Sequence, residues 1–526
     1  MSLIEPAFLF VFLPLFLLLF HLAGRFLGSR AALAVLLAIS LFIIATQGRW
    51  FLLLSSASAV VNLILLVAIT RAHQRGGHPR LFLWLGVALN IAVLILFKYA
   101  AWFSWIPAAG PFAESLRTAV PITLSFLTFQ RSVALLDGYA QPHGVTAHLT
   151  APSPGTRPAR LLDAPLRFFS FASFFPNVLI GPIAYLTEII PQFHRRGFGR
   201  LRSIDLSVGL TLLVIGLFKK VFIADDLGRL VVDPVYTNVA LHHDVPPLIA
   251  TTALIGYFAQ LYFDFSGYSD MAIGIGRMFG IRLPINFRSP LRAVGIIDFY
   301  RRWHITLTRV IARFLFTPLS VMGTRYVMRR RIKGTSAKVI SLWVPLILNF
   351  LVIGVWHSAS ITFVLFGLFH GLWYVVETEV RSSRRWKGFA ANSPGGRRAA
   401  LGMAMTFVLI TVSFALARSP NLNVFAGMFG NLAGDWTNIG EGVGPFLGII
   451  RRLAIALAII YLAPNAYELL ERYRPGIVTW QVPSTTPAWL RVRWRPTLLW
   501  GLVIALLGLT VFGRLAQPVP FVYGIY

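Results

Sequence analysis

Cysteine is absent from the 526 residues. That excludes a disulfide framework, thiolate metal ligation and a cysteine nucleophile, so any covalent intermediate needs another side chain. Acid is scarce as well: 19 Asp and Glu stand against 48 Lys and Arg, a formal net charge of +29. Charged residues make up 13% of the chain and hydrophobic residues 56%, against roughly one quarter charged in a soluble domain. No long polar segment is left for a soluble domain. The composition reads as a single integral-membrane domain over 1–526, polytopic and all-α.

The excess of base lies in short connectors beside apolar runs: Arg71 to Arg80, Arg157 to Arg167, Arg195 to Arg202, Arg329 to Lys338 and Arg381 to Lys387. Such a distribution sets topology by the positive-inside rule and meets anionic headgroups of the lipid bilayer. It speaks against nucleic acid, for which there is no aromatic-interleaved soluble platform. The opening MSLIEPAFLF carries Glu5 where a signal peptide needs a basic region, so it reads as a retained first span.

Crossing the hydrocarbon takes about twenty mostly apolar residues. That ruler predicts spans at Ala7 to Ala23, Ala31 to Gln47, Trp50 to Thr70, Leu81 to Phe97 and Pro121 to Leu136, with the N-terminus outside. Trp102 to Leu116 reads as an outer loop and Gln141 to Arg160 as a cytoplasmic one. Phe168 to Phe193 is apolar but interrupted by Pro176, Gly181, Pro182 and Pro191, which predicts a re-entrant or kinked element lining a cavity. Leu206 to Phe222 is a span, and Asp225 to Asp244 reads as a polar outer loop. Its His242, His243 and Asp244 lack metal-ligand spacing, so no metal is expected. Later spans are expected at Val339 to Val355, Ile361 to Val376, Leu401 to Leu416, Phe446 to Leu462 and Leu498 to Phe512.

The organising stretch is Leu261 to Glu377, which carries Asp264, Asp270, Asp298, Arg301, Arg302, His304, His357 and His370 through apolar surroundings. Ionisable groups at membrane depth are costly and must be paired, hydrated or used. Pairing of Asp264 and Asp270 with Arg277 or Arg301 is the expected structural solution. Gly274, Gly276 and Gly280 suit close helix packing, not a dinucleotide fingerprint, because no strand precedes them. A histidine titrates near neutral pH, so one placed in a cavity can activate a hydroxyl for acyl transfer.

Six stretches, in order, resemble the membrane-bound O-acyltransferases, and within them the bacterial branch of the alginate O-acetylation membrane subunit. They are PITLSFLTFQ, IGPIAYLTEIIPQF, GLFKKVFIADDL, YFDFSGYSDMAIGIGRMFGI with RLPINFRSP, DFYRRWHITL, and VWHSASITFVLFGLFHGLW. The resemblance implies many transmembrane and re-entrant helices around a central cavity and tunnel. It divides the domain into N-terminal spans over 1–118, a transferase core over about 119–380 and C-terminal spans over 399–526. It makes His357 the hallmark histidine, as general base or carbonyl polariser, and His304 the second polar position that orients donor or acceptor. His370, Trp303, Trp356, Asp298 and Arg302 become supporting residues of the site. Direct transfer is favoured, with an acylated Ser358 or Ser360 as the alternative. Two departures stand out: Arg313 replaces an acid, and Ser358 replaces the glycine of the WHG pattern.

The implied activity is transfer of an acyl group, acetyl in this branch, from a cytoplasmic thioester such as acetyl-CoA for O-acetylation of an exported polysaccharide such as alginate. No tightly bound cofactor is implied. A separate periplasmic O-acetyltransferase is the implied partner, and the bacterial inner membrane the implied location. D-alanyl transfer to teichoic acid from an acyl-carrier protein is the alternative within the same fold. Outside it stand a non-enzymatic transporter and a non-catalytic scaffold; the first lacks a visible internal repeat, and the second predicts that His357 is dispensable.

Overall fold

The computed structural model describes residues 2–98, 121–151, 162–383, 395–434, 443–479 and 488–515, with 436, 484, 486 and 521–522. The outer loop expected at Trp102 to Leu116, residues 152–160 of the expected cytoplasmic loop and residues 384–387 of the basic connector lie outside them. Among the described residues there is no strand ladder; one isolated parallel bridge joins Pro284 to Ile477. Most of the described residues are helical, and nine helices among them are long and apolar enough to cross a membrane.

Four helices open the chain: α1 (Phe8–Leu27), α2 (Ser29–Ala45), α3 (Arg49–Gln74) and α4 (Pro79–Lys98). α5 (Pro121–Ala140) packs on α3 and α4, with Asn62, Asn90 and Ser132 hydrogen-bonded across the three. The segment expected as a loop after α5 begins with a helix, α6 (Pro142–Thr150). Pro142 at its first turn has no amide to leave unsatisfied there, which is why a proline opens it.

Phe168 to Phe193 is broken as its prolines require. It forms α7 (Asp163–Ala172), the one-turn α8 (Phe175–Val178) and α9 (Leu186–Phe193), separated by extended backbone with Ile180 at φ 72°. Side chains satisfy the interruptions: Gln130 Oε1 of α5 accepts from Ala184 N, and Asn177 Nδ2 within the segment donates to Pro182 O. Pieces of backbone that cannot pair within a helix are held by protein, as membrane depth demands.

The centre of the molecule is α10 (Ser203–Ala240) against α11 (Pro247–Met278). Glycines set their approach. A Cβ on Gly216 would stand 2.6 Å from Gly267 O, and one on Gly274 2.6 Å from Gly209 O, so only glycine lets the two backbones meet here. α10 overturns the expectation of a polar loop from Asp225, because the helix runs on to Ala240 and only 241–246 is irregular. Its acids are neutralised where they stand: Lys220 Nζ lies 2.6 Å from Asp225 Oδ1, and Arg514 pairs with Asp226. π turns over Phe218–Ala224 carry Lys219 and Lys220 into α11.

The expected partners of Asp264 and Asp270 are likewise corrected. Lys220 Nζ lies 2.9 Å from Asp264 Oδ1 and Lys219 Nζ 2.6 Å from Asp270 Oδ2, whereas Arg277 pairs with Asp205 at 2.7 Å and Arg301 is exposed. The reason is register. Antiparallel α10 presents its two lysines at the level of these aspartates, and Arg277 lies two helical turns further on, opposite the start of α10.

An irregular segment from 279 leads to the short α12 (Ile296–Tyr300) and then to a helical hairpin, α13 (Ile305–Arg330) and α14 (Gly334–His357). α15 (Ile361–Ser382), α16 (Gly395–Arg418) and α17 (Leu422–Gly430) follow. α18 (Val443–Leu462), the single turn α19 (Ala466–Leu469) and α20 (Leu498–Phe512) complete the order. Along α20, Leu498, Leu499, Leu502, Leu506, Leu509 and Phe512 are exposed, a face that only hydrocarbon solvates well.

Candidate active site

The residue before α13 is His304, and its backbone is left-handed at φ 42°, ψ 50°. A side chain rarely adopts that region without cost, on the order of 1–3 kcal/mol, so its surroundings must enforce it. They do so through the preceding motif. Ile305 N donates to Asn286 O, and Asn286 Oδ1 accepts from Thr306 Oγ1 at 2.9 Å and from Thr306 N at 3.3 Å. His304 Nδ1 lies 3.1 Å from the same Asn286 oxygen. Phe265 meets the imidazole edge-on at 4.7 Å, and Phe126 and Phe287 stack on it at 6.5 and 6.3 Å. His304 is 3% exposed, and its Nε2 has no hydrogen-bond partner among the described residues.

His357 ends α14, which stops because Ser358 turns extended at φ −155°. That conformation suits any residue, so serine in place of glycine costs no backbone strain. Trp356 lies 4.4 Å from the His357 ring, and Phe363 of α15 lies 5.9 Å from it. Lys98, the last residue of α4, donates to the Trp356 carbonyl and stands 5.3 Å over the indole. His357 is within electrostatic reach of both Lys98 and His304. α5 spans the two: Phe126 stacks on His304, and one turn later Phe129 meets Trp356 edge-on at 5.2 Å. Fifty-three positions apart in sequence, the two histidines share one buried neighbourhood.

The remaining candidates separate. His370 is fully buried with both nitrogens occupied, Nδ1 with Tyr300 Oη at 2.9 Å and Nε2 with Ser413 Oγ at 2.9 Å. It ties α12, α15 and α16 together. Trp303 stacks on Phe299 at 5.5 Å and meets Phe287 at 5.1 Å, walling the His304 turn from behind. Arg302 Nε donates to Asp298 Oδ1 at 2.9 Å, and Arg302 O accepts from Arg288 N, so this pair braces the turn. Ser360 Oγ lies 2.9 Å from Thr362 Oγ1 at the start of α15.

A cleft of about 590 Å³ opens below this turn, lined among others by Gln192, Arg195, Arg282, Ile285, Arg288 and Arg474. Its floor is built by backbone: Ile285 N donates to Ile477 O, and Ile477 N to Leu283 O. Gln192 clamps Arg282, donating to its carbonyl and accepting from its amide, both at 2.9 Å. Burial and then the charge of Arg195 push the Arg282 guanidinium below its ordinary value. Asn286, next to floor residue Ile285, is the link from cleft to His304. The broken α9 thus does line a cavity, through Glu188, Pro191 and Gln192.

Beside it, Arg313 meets Asp137 Oδ1 at 3.4 Å and lies 5.1 Å over Tyr185, while Arg309 pairs with Glu188 at 2.5 Å. The unusual arginine therefore has a local acid of its own. Among the described residues no group of His, Asp and Glu is arranged to hold a metal ion.

Sequence reasoning did not single out Asn286, Lys98 or the cleft arginines. Asn286 had a signal, the lone amide in RLPINFRSP directly before the charged turn. The arginines had none, since residues 195, 282, 288 and 474 meet only in the fold.

Comparison with known proteins places the chain in a family. Residues 80–414 match the family model described as MBOAT, membrane-bound O-acyltransferase family. The chain is 33% identical to the peptidoglycan O-acetyltransferase of Helicobacter pylori, over 88% of this chain and 86% of that protein. It is 32% identical to the probable alginate O-acetylase AlgI of Pseudomonas putida, over 96% of each. The teichoic acid D-alanyltransferase of Streptococcus thermophilus is 24% identical over 47% of this chain and 60% of its own length. With the matching model over most of its length and such relatives end to end, this multi-pass membrane protein belongs to the membrane-bound O-acyltransferase family.

Proposed function

We propose that the protein moves an acetyl group from cytoplasmic acetyl-CoA to a hydroxyl destined for a cell-envelope polysaccharide, in the bacterial inner membrane and with a periplasmic transferase as partner. The observation that carries this is the linkage of the buried His304 and His357 through Phe126, Phe129 and Trp356, with Asn286 joining His304 to the arginine-lined cleft and Lys98 standing against Trp356. The cleft borders the basic connector at 194–202, which the positive-inside rule assigns to the cytoplasm. Its guanidiniums suit the phosphates of a nucleotide thioester, and its recessed form favours a free donor over one borne on a folded carrier.

A thioester carbonyl is already activated, so the protein must align a hydroxyl, take its proton and stabilise the oxyanion. The hydroxyl oxygen attacks the carbonyl carbon and its proton passes to a histidine nitrogen. The C–S bond then breaks, and the departing thiolate takes that proton to leave as the thiol. His304 and His357 supply the proton acceptor and the group that polarises the carbonyl; Trp356, Trp303 and the phenylalanines keep water away. No cysteine is available for an acyl-enzyme, which favours direct transfer over an acylated Ser358 or Ser360. The acetyl group is favoured by relatives of both polysaccharide types that match this chain over most of its length, whereas the D-alanyltransferases match under half of it.

The test is transfer or slow hydrolysis of labelled acetyl-CoA by the purified protein in lipid vesicles, beside His357→Ala at matched folding. Turnover lost in the variant supports the reading. Equal turnover in both overturns the role of His357, and none in either points to another donor or a required partner.

A further inference from the structure

The hydrogen bonds around Asn286 leave one solution for its amide. Thr306 N can only donate, so the Asn286 atom 3.3 Å from it is the oxygen. The Thr306 hydroxyl is itself an acceptor for Ile183 N at 3.2 Å, so its proton points at that oxygen too. On the other side Asn286 Nδ2 donates to Ser269 Oγ at 3.1 Å, within the FSGYSD motif of α11. A reversed amide would set donor against donor at Thr306. The oxygen has nothing to give, so the hydrogen between it and His304 comes from Nδ1.

A neutral imidazole carries one N–H, and spending it on Nδ1 leaves the lone pair on Nε2. In this structure Nε2 is buried and has no partner among the described residues, a costly arrangement for a polar atom unless something arrives to use it. His370 is the internal contrast, with both nitrogens engaged. From this we infer that Asn286 is a positioning residue: it fixes His304 as the Nδ1–H tautomer and so makes Nε2 the proton-accepting atom of the site. This rests on the acyl-transfer reading for its function, though the tautomer itself does not. In the transfer step the hydroxyl proton goes to His304 Nε2, the oxygen bonds to the acyl carbon, and the same nitrogen returns the proton to the leaving thiolate. Polarising the carbonyl is then left to His357, and the left-handed turn at His304 is the geometric cost of aiming the ring while Asn286 holds its other edge.

Two measurements test it. The first is solid-state NMR of the full-length protein in lipid bilayers with 15N,13C-histidine, the His304 signals being those lost in His304→Gln. The neutral Nδ1–H pattern is expected for His304 and should disappear in Asn286→Leu; an Nε2–H pattern in the unsubstituted protein overturns the proposal whatever the reaction proves to be. The second is transfer kinetics. Asn286→Leu should lower kcat by about 100-fold or more, the scale of a misplaced general base, with KM for the thioester little changed. Asn286→Asp keeps an acceptor oxygen in the same place and should restore most of that loss. A fall in both variants that merely follows their thermal unfolding overturns the positioning role. If the unsubstituted protein transfers no acetyl, the acetyl-CoA donor reading gives way to another donor or a required partner, while the NMR result still decides the tautomer.

Discussion

Lys220 and Asp264 face each other at 2.9 Å with both side chains fully buried, and Asp264 Oδ2 also accepts from Val522 N. Removing one member of such a pair strands the other in a low dielectric, at about 3–5 kcal/mol. Lys220→Met and Asp264→Asn should therefore each lower thermal stability in detergent sharply. The double variant should recover part of the loss. Additive losses would show that the two do not act as a pair.

His304 and His357 should behave alike in catalysis and unlike His370. Replacing either of the first two by Ala is expected to cut turnover by about 10²–10⁴-fold at near-normal stability, the scale of a lost general acid or base. His370→Gln breaks the bonds to Tyr300 and Ser413, so its activity should fall only as its melting temperature falls. Turnover and unfolding measured on the same three preparations separate the cases.

The cleft makes a binding prediction. Arg282→Gln and Arg474→Gln should raise KM for acetyl-CoA by roughly tenfold or more, since a charge-assisted contact contributes about 1.5–3 kcal/mol, and leave kcat nearly unchanged. Added salt should narrow the difference from the unsubstituted protein, because screening weakens what the arginines supply. A fall in kcat at constant KM would place the donor elsewhere.

Close approach of α10 and α11 predicts a steric effect without chemistry. Gly267→Val or Gly274→Val puts side-chain atoms on the facing backbone, with even a Cβ at 2.7 and 2.6 Å from Gly216 O and Gly209 O. Overpacking of this kind costs typically about 1–3 kcal/mol. Because these helices carry Ser269 and the buried lysine pairs, lost folding yield should precede any specific kinetic change. Gly501→Ala on α20 meets nothing within 4 Å and should be silent.

Much of the fold was legible because its signals are local. Apolar runs of membrane length placed many of the helices within a few residues but missed the spans at Pro247–Met278 and Ile305–Arg330, whose polar residues hid them, and Pro176, Gly181, Pro182 and Pro191 marked the broken segment. The stretch after Phe222 was misread because local polarity outweighed helix in the absence of its partners. Asp225 and Asp226 look solvated until Lys220 and Arg514, the latter 288 positions away from Asp226, are seen to neutralise them. The aspartates of FDFSGYSD were correctly seen as buttresses but given the wrong cations, since the register of two antiparallel helices is written in their glycine contacts and not in the spacing of their charges.

By itself the sequence determined that this is a helical, multi-pass membrane chain, and it singled out a polar stretch around RRWH and VWHS as the candidate for its chemistry. Residue type and one-dimensional spacing suffice for that, because hydrocarbon admits few backbones and tolerates few charges. Only the tertiary structure decided that aromatic contacts through Phe126, Phe129 and Trp356 link His304 to His357, and that both nitrogens of His370 are engaged by Tyr300 and Ser413. It also decided that four arginines from three regions converge on one cleft and that Asn286 holds the edge of an imidazole. Those relations depend on how helices far apart in the chain are rotated and crossed, and a hydrogen bond, with its reach of about 3 Å, exists only once that packing is made.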